Sequence, residues 1–458
     1  MLKKFFKKVD NLLKNNQFNK NQVTSTAAPI NTALQLAQEH INSHALEIVT
    51  KLQKAGFEAY LVGGCIRDLL LGIPPKDFDV ATSATPEQIK KLFRNSRIIG
   101  RRFKLVHVFW GKETIEVATF RGAHTSPNTA EHAQHASGRI LRDNVFGTLS
   151  EDAYRRDFTI NALYYNPNQK QLIDYVDGIE DINSKLIKLI GNPQKRYQED
   201  PVRMLRAVRF AAKLNFTIEA ETAAQIYEQA QLLADIPAAR LFDEVLKLFL
   251  ANNALKTFEL LCQYNLFAKL FPDSAAILQQ SPYTQLFLKQ ALLNTDQRLT
   301  AGKTVHPAFL YACLLWPVLL SKLAAPITES PPNIIELQHI ANDVIAQQSK
   351  YTTIPKRFSI PMREIWECQV KLMRRQANKA DILLNHPRFR AGYDFLLLRE
   401  SVGEQTGQLA AWWANYQQTD ELSRRKMIRE IATSKKNYRQ RRRGKPKFIR
   451  SNNTPNNE

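Results

Sequence analysis

Two aspartates separated by one residue, Asp77-Phe78-Asp79, are the residues of this chain best suited to do chemistry. In an extended strand alternate side chains share a face, so Asp77 and Asp79 project together while Phe78 and Val80 turn to a core. Carboxylates held that close repel unless positive charge lies between them. A Mg²⁺ ion, bound by one or two carboxylates and completed by substrate phosphates, meets that need. Just upstream, Leu61-Val62-Gly63-Gly64-Cys65-Ile66-Arg67-Asp68 reads as a strand, a double-glycine turn and a helix start. Glycine lets backbone approach a phosphate closely, and a helix start offers free N–H groups to it. Arg67 is spaced to reach the same anion. A double glycine alone is an ordinary tight turn; joined to the acid pair it points to phosphoryl or nucleotidyl transfer.

Three further clusters bear on that reaction. Glu116 lies in Ile115-Glu116-Val117-Ala118, read as a strand apolar on both sides. A carboxylate buried there is costly unless paired or metal-bound, so Glu116 is a candidate third acid, with an internal ion pair to an arginine as the plainer reading. Gly100-Arg101-Arg102-Phe103-Lys104 places three cations before a strand near the acids. Arg155-Arg156-Asp157-Phe158-Thr159-Ile160-Asn161 joins a helix-capping candidate, Asp157, to two guanidinium groups whose forks match phosphate or sugar oxygens. In Glu199-Asp200-Pro201-Val202-Arg203-Met204-Leu205-Arg206-Ala207-Val208-Arg209-Phe210, Asp200 reads as a cap and Pro201 as the first helical residue. Arg203, Arg206 and Arg209 then share one helix face opposite Leu205, Val208 and Ala212, without the interleaved acids of a salt-bridged surface.

The elements that position these residues read as α+β. A helix over Ala45–Leu52 leads to a strand at Ala59–Val62, a short helix at Arg67–Leu71 and a strand at Phe78–Ala81. Thr85-Pro86 opens the next helix, and strands follow at Lys104–Trp110 and Thr114–Arg121. Residues 123–139 carry three histidines but no large apolar side chain, and read as a loop. A helix around Asp157–Tyr164 and a hairpin near Ile173–Ile190 are expected next, then helices to about Tyr416. From Lys435 a basic block without an acid cannot form a core.

Composition narrows the partners. The 458 residues suffice for two or three domains, and 64 Lys and Arg against 43 Asp and Glu leave a net charge of +21. That excess favours a polyanion, nucleic acid first and an anionic membrane surface second. Four scattered cysteines (Cys65, Cys262, Cys313, Cys368) suggest neither zinc site nor disulfide framework, and a reducing cytoplasm is the expected setting. Leu2, Phe5, Phe6, Val9, Leu12 and Leu13 recur at helical spacing opposite lysines. This arm reads as a helix docked on its own protein, with weak contact to a membrane surface as the alternative. A monomer is the expected state.

Taken in order, Gly-Gly-Cys-Ile-Arg-Asp, Asp-Phe-Asp, Arg-Arg-Asp-Phe-Thr-Ile-Asn and Glu-Asp-Pro-Val-Arg-Met-Leu-Arg-Ala-Val-Arg-Phe resemble the class II nucleotidyltransferases of the polymerase-β superfamily. That family contains bacterial poly(A) polymerases and CCA-adding tRNA nucleotidyltransferases. Within it the chain is most similar to the bacterial poly(A) polymerase I group, from about residue 46 to about 415. The likeness includes Ile99-Gly100-Arg101-Arg102-Phe103-Lys104-Leu105-Val106-His107-Val108, the late stretch His386-Pro387-Arg388-Phe389-Arg390-Ala391-Gly392-Tyr393-Asp394, and the basic tail. The resemblance implies an N-terminal domain with a small mixed sheet flanked by helices, followed by an all-helical neck and body. It divides the chain into an arm (1–45), a catalytic domain (46–175), a neck (176–250), a helical body (251–420) and a basic tail (421–458).

The resemblance also implies roles. Gly64 and Arg67 would contact the triphosphate of ATP, and Asp77 and Asp79 would hold two Mg²⁺ ions, with Mn²⁺ as a substitute. Arg156 would contact the nucleotide. Asp200 and Arg203 would face the base edge, with Arg206 and Arg209 behind them. The strand argument names Glu116 as third acid, whereas the family motif names Asp157 and tips the choice to it. The implied reaction is addition of AMP from ATP to RNA 3′ ends without a template. CCA addition is the alternative, and an inactive RNA-binding relative a third reading that the intact acid pair disfavours.

Overall fold

A computed structural model of the chain describes residues 30–33, 40–100, 104–122, 132–134, 140–143, 145–375 and 377–431. The arm helix, Arg101, Arg102 and the basic tail from Lys435 lie outside the described residues. The chain divides into two compact units, one reaching Ile182 apart from residues 126–143, the other made of residues 126–143 together with Asn183 onward.

The first unit is built on one mixed sheet. Its strands are β1 (Ile30–Ala33), β2 (Ala59–Val62), β3 (Asp79–Thr82), β4 (Ser96–Ile99), β5 (Leu105–Trp110) and β6 (Glu113–Thr119). After the separate pair β7 (His132–Gln134) and β8 (Ile140–Asp143) come β9 (Leu163–Asn166) and β10 (Gln171–Asp174). The sheet runs β1-β10-β9-β2-β3-β6-β5-β4. Every neighbouring pair is antiparallel except β3 with β6. Leu61, Val80, Val106, Val108 and Val117 bury their side chains completely from the central strands. Helix α1 (Ser43–Lys54) packs Ile48, Val49 and Leu52 into that unit's core after the Asn42 side chain caps it by accepting the Ala45 N–H. Helix α2 (Gly64–Leu70) starts directly at the glycine turn, and α3 (Pro86–Leu92) opens with a capping box between Thr85 and Gln88.

Three expectations change here. The segment expected as a helix over Asp157–Tyr164 instead follows the end of α4 (Leu149–Arg155) and forms a 3₁₀ turn at Thr159–Asn161 and the start of the strand β9. Ala162, Leu163, Tyr164 and Tyr165 are fully buried, the continuous apolar run of a strand covered on both faces. The hairpin accordingly falls earlier, at β9–β10, with Lys170 supplying the positive φ of its turn. The loop expected over 123–139 contains β7, paired with β8. β1 and β4 have no counterpart in the sequence reading.

Helix α5 (Gly178–Asn183) fastens the 3₁₀ turn. Asp181 accepts the Thr159 hydroxyl at 2.6 Å, and a Cβ on Gly178 would lie 2.4 Å from the Thr159 carbonyl oxygen. Gly178→Ala is therefore expected to destabilise the protein by about 1–3 kcal/mol through overpacking. Calorimetry checks this, and an unchanged unfolding midpoint would contradict the close approach.

From Asn183 onward the second unit is helical, as the sequence implied, apart from the two-residue parallel pair of β11 (Leu186–Ile187) and β12 (Thr217–Ile218); the β7–β8 pair also belongs to this unit. Its central helix, Pro307–Ser321, is apolar nearly all round and buries Leu310, Tyr311, Leu315, Trp316 and Leu319. The Trp366 indole donates to the Ala312 carbonyl of that helix at 3.1 Å. Among the described residues no helix is long and apolar enough to cross a membrane.

Candidate active site

In the first unit the sheet register gathers the acids. Asp79 begins β3, opposite Val62 at the end of β2 and opposite Glu116 on parallel β6. The glycine turn follows Val62 directly, so turn and acids share one end of the sheet. Asp77 precedes β3 by two residues and is exposed, as is Asp79, while Phe78 and Val80 between and after them are buried. The alternation expected of the pair is present, although only Asp79 lies within the strand itself.

Glu116 is not the buried carboxylate expected. Ile115 and Val117 are buried, but Glu116 between them points out with its side chain 52% exposed. Strand alternation explains this: a residue flanked by two inward side chains faces outward. Its hydrogen-bond partner is the ring of His107 on β5, at 3.3 Å, rather than an arginine. It nonetheless stands directly beside Asp79.

The crowding of acids is visible in Asp79. Desolvation by the surrounding protein, with added negative charge from Glu116 and Asp77, outweighs Arg156 and pushes its carboxyl up to about 6. Such an excess of negative charge fits a divalent cation. Among the described residues no group of three or more ligating side chains is assembled. What the fold offers is a small oxygen-only set, the kind Mg²⁺ uses when substrate oxygens complete its shell.

The turn itself depends on Gly63, whose φ of +85° suits glycine. A Cβ there would lie 3.5 Å from Nη1 of Arg156. Gly64, the glycine singled out in the sequence, is not in the left-handed region; a Cβ on it would meet Nη2 of Arg67 at 3.5 Å. Arg67 is only 3% exposed. It donates to Asp68 at 2.8 and 2.6 Å and to Oδ1 of Asn161 at 2.5 Å, so its guanidinium braces the turn and ties it to the 3₁₀ segment. The Cys65 thiol beside it donates to the Val62 carbonyl and is pushed up to about 12 by burial, which leaves it an inert packing group.

Arg156 is the C-cap of α4 and is held by two residues that the sequence alone does not single out. It donates from Nε to the Tyr164 hydroxyl at 2.9 Å and from Nη2 to Oδ2 of Asp152 at 3.0 Å, while that hydroxyl donates to the same Asp152 oxygen at 2.7 Å. Burial alone would lower its pKa, but Tyr164 and Asp152 overcome this and raise it, so the guanidinium stays charged at the glycine turn. The i,i+4 spacing of Asp152 and Arg156 was the available signal for the first of them. Asp157 accepts the Phe158 N–H at 2.8 Å and the Asn161 side-chain amide at 3.2 Å. It secures the 3₁₀ segment rather than the helix expected there.

In the second unit, Asp200 lies between α6 (Pro193–Glu199) and α7 (Val202–Leu214). It closes α6 as its C-cap and accepts from Nη2 of Arg240 at 2.8 Å; Pro201, not Asp200, is the residue at the N-cap of α7. Arg203 donates to Glu199 at 2.9 Å and to the Arg196 carbonyl at 2.7 Å, so the arginine face does carry one acid at its start. Arg203, Arg206 and Arg209 form the only part-exposed stripe on Pro201–Phe210, where every other residue is buried. Arg206 and Arg209 flank the Phe210 ring at 5.3 and 5.2 Å. Leu205, Val208 and Ala212 are buried as expected.

Comparison with known proteins finds matches along both units. The family model described as "Poly A polymerase head domain" matches residues 59–188, "Probable RNA and SrmB- binding site of polymerase A" matches 215–278, and "Polymerase A arginine-rich C-terminus" matches 331–447. Poly(A) polymerase I of Salmonella typhimurium is 47% identical over 405 residues, covering 86% of this chain and 87% of that protein. The CCA-adding enzyme of Lactobacillus delbrueckii subsp. bulgaricus is 40% identical over 217 residues, covering 47% of this chain and 52% of that protein. Among solved structures, the Thermotoga maritima CCA-adding enzyme complexed with tRNA shares the fold with a TM-score of 0.58 at 20% identity, covering 84% of this chain and 85% of the other.

Proposed function

Because the chain belongs to the bacterial poly(A) polymerase I family, we propose that it is a polynucleotide adenylyltransferase that adds AMP from ATP to RNA 3′ ends without a template and releases pyrophosphate. The observation that carries this reading is the extent of the likeness to Poly(A) polymerase I, which spans both units, whereas likeness to the CCA-adding enzyme covers about half of the chain.

In the proposed reaction the RNA 3′-oxygen forms a bond to the α-phosphorus of ATP and the bond to the β-phosphate oxygen breaks. Asp77 and Asp79 would hold two Mg²⁺ ions, or Mn²⁺ in their place, and metal so bound would lower the pKa of the hydroxyl and steady the leaving pyrophosphate. Gly63 lets backbone approach the triphosphate, and Gly64 continues that surface into α2. Arg156, locked by Asp152 and Tyr164, supplies fixed positive charge to the triphosphate with little reorganisation. Arg67 acts from behind the turn, keeping it in shape. Glu116, beside Asp79, is our candidate for the third acid, ahead of Asp157. On the helical side, Asp200 and Arg203 would read the base edge, with Arg206 and Arg209 as their support. The catalytic domain of 46–175 would thus deliver the chemistry. The neck and body, 176–250 and 251–420, would hold RNA through phosphates, with salt-sensitive binding and little sequence preference.

Incubation with a tRNA lacking its CCA end, and separately with an unstructured oligonucleotide, tests the reading. Long ladders with ATP alone are expected on the oligonucleotide. Two CMP additions and one AMP on the tRNA, followed by a stop, would overturn it in favour of CCA addition.

A further inference from the structure

The stretch His386-Pro387-Arg388-Phe389-Arg390-Ala391-Gly392-Tyr393-Asp394 has no part in the chemistry above, yet it is fixed with care. It leads into the helix Phe389–Ser401, in which Gly392 lies so close to Lys356–Arg374 that a Cβ on it would stand 2.5 Å from the Cβ of Cys368. The Gln369 amide donates to the Gly392 carbonyl at 2.9 Å from the same helix. Beside this stretch opens a cavity of about 720 Å³, bounded on its other side by the helix Pro282–Thr300 and the start of Pro307–Ser321.

Three arginines line the cavity, and each is anchored in the same way. Arg298 donates from Nε to the Thr304 carbonyl at 2.8 Å, Arg388 from Nε to Glu364 at 3.1 Å, and Arg390 pairs through Nε with Asp394 at 3.0 Å. Among the described residues their terminal nitrogens have no protein partner, so three guanidinium forks are held at one end and left open at the other. Asp394 is the one acid on the described lining. Between the cations the wall is mixed, with apolar Phe309, Ala391 and Leu397 beside polar Asn294, Thr304 and His306. Such guanidinium forks match phosphate oxygens, and an aromatic side chain offers a base a stacking surface. The volume is far larger than a lone phosphate needs and lies within the range of cavities that take whole small molecules.

We infer that this cavity is a second RNA site, taking a nucleotide unit of single-stranded RNA upstream of the growing 3′ end. It rests on the adenylyltransferase reading only in that RNA is the acceptor. Open sides and several spaced cations suit a link in a polymer, which must enter and leave, better than a free nucleotide. The site would hold the body of the acceptor while its end is extended, so it acts on long RNA and not on the chemical step.

The test uses the full chain carrying Arg298→Ala and Arg390→Ala together, with Arg298→Lys and Arg390→Lys as the charge-preserving pair. Binding of a long oligoadenylate is measured across salt concentrations, alongside ATP-dependent extension of a trinucleotide primer. For the alanine pair the dissociation constant should rise about tenfold. The salt slope should flatten by roughly 1.4, since each phosphate contact to a single strand contributes about 0.7. The lysine pair should keep the wild-type slope, and trinucleotide extension should be unchanged in both. Wild-type affinity and slope in the alanine pair would overturn the inference, as would an equal loss on the trinucleotide. If AMP alone occupies two sites on the wild-type protein and loses one in the alanine pair, the cavity takes free nucleotide and the RNA assignment falls. Failure of the wild-type protein to extend any RNA would instead remove the adenylyltransferase reading, since the cavity is judged by binding.

Discussion

Asp77→Ala is expected to reduce AMP incorporation by roughly 10³-fold or more, the scale on which loss of one preorganised charge-stabilising group acts, while RNA affinity stays unchanged or tightens slightly. Asp77 is exposed and makes no core contact, whereas Phe78 beside it is 8% exposed and packs inward. The variant should therefore fold normally, and a loss of rate would report on the site rather than on stability. The slight gain in RNA affinity has an electrostatic cause, because one negative charge is taken from the approach path of a polyanion. Primer extension with labelled ATP and filter binding of the same RNA measure the two quantities separately. Removal of divalent ions by a chelator should copy the mutation, halting incorporation and sparing RNA binding. Incorporation by Asp77→Ala at the wild-type rate would show that the acid pair does not hold the metal.

What could be read from the chain was local. Thr85 as cap and Pro86 as first helical residue are both found, and Ala59–Val62 is a strand at both of its expected ends. Asp77 and Asp79 are both exposed on either side of buried Phe78, the alternation that a period of two leads one to expect without tertiary information. What the sequence could not supply is a partner that lies far away along it. Arg67, expected at the anion, is also held by Asn161, 94 residues later. The run Ala162–Tyr165 has no helical period, and only its place between β2 and β10 makes Leu163–Asn166 a central strand. The glycine that carries the positive φ is Gly63; nothing local distinguishes it from Gly64, because the difference arises from how β2 hands over to α2. Arg203 was read as part of an unpaired basic face, although Glu199 sits one turn before it and binds it.

The choice of third acid turns on the same distinction between local pattern and strand pairing. Glu116→Gln is expected to lower the turnover number by about 10²-fold with no loss of stability, since its side chain is 52% exposed and bonded to His107 alone among the described residues. Register sets it opposite Asp79, and its charge is one cause of the raised Asp79 carboxyl. Removing a neighbouring negative charge makes the charged form of Asp79 easier to reach, so in metal-free protein the Asp79 pKa should fall from about 6 toward the ordinary carboxylate range. A titration followed by NMR reads this directly, and an unmoved Asp79 would show that Glu116 places no charge beside it, while the turnover number reports its part in the reaction. Asp157→Asn should behave differently. Its oxygen accepts the Phe158 N–H and the Asn161 amide, and weakening those bonds is expected to cost about 1 kcal/mol of stability with a change in turnover of a few-fold. Because Asn161 also accepts from Arg67, slackening of the 3₁₀ segment should reach the glycine turn and raise the KM for ATP more than it lowers the turnover number. A hundredfold loss of turnover in Asp157→Asn at unchanged stability, with Glu116→Gln active, would transfer the role of third acid to Asp157.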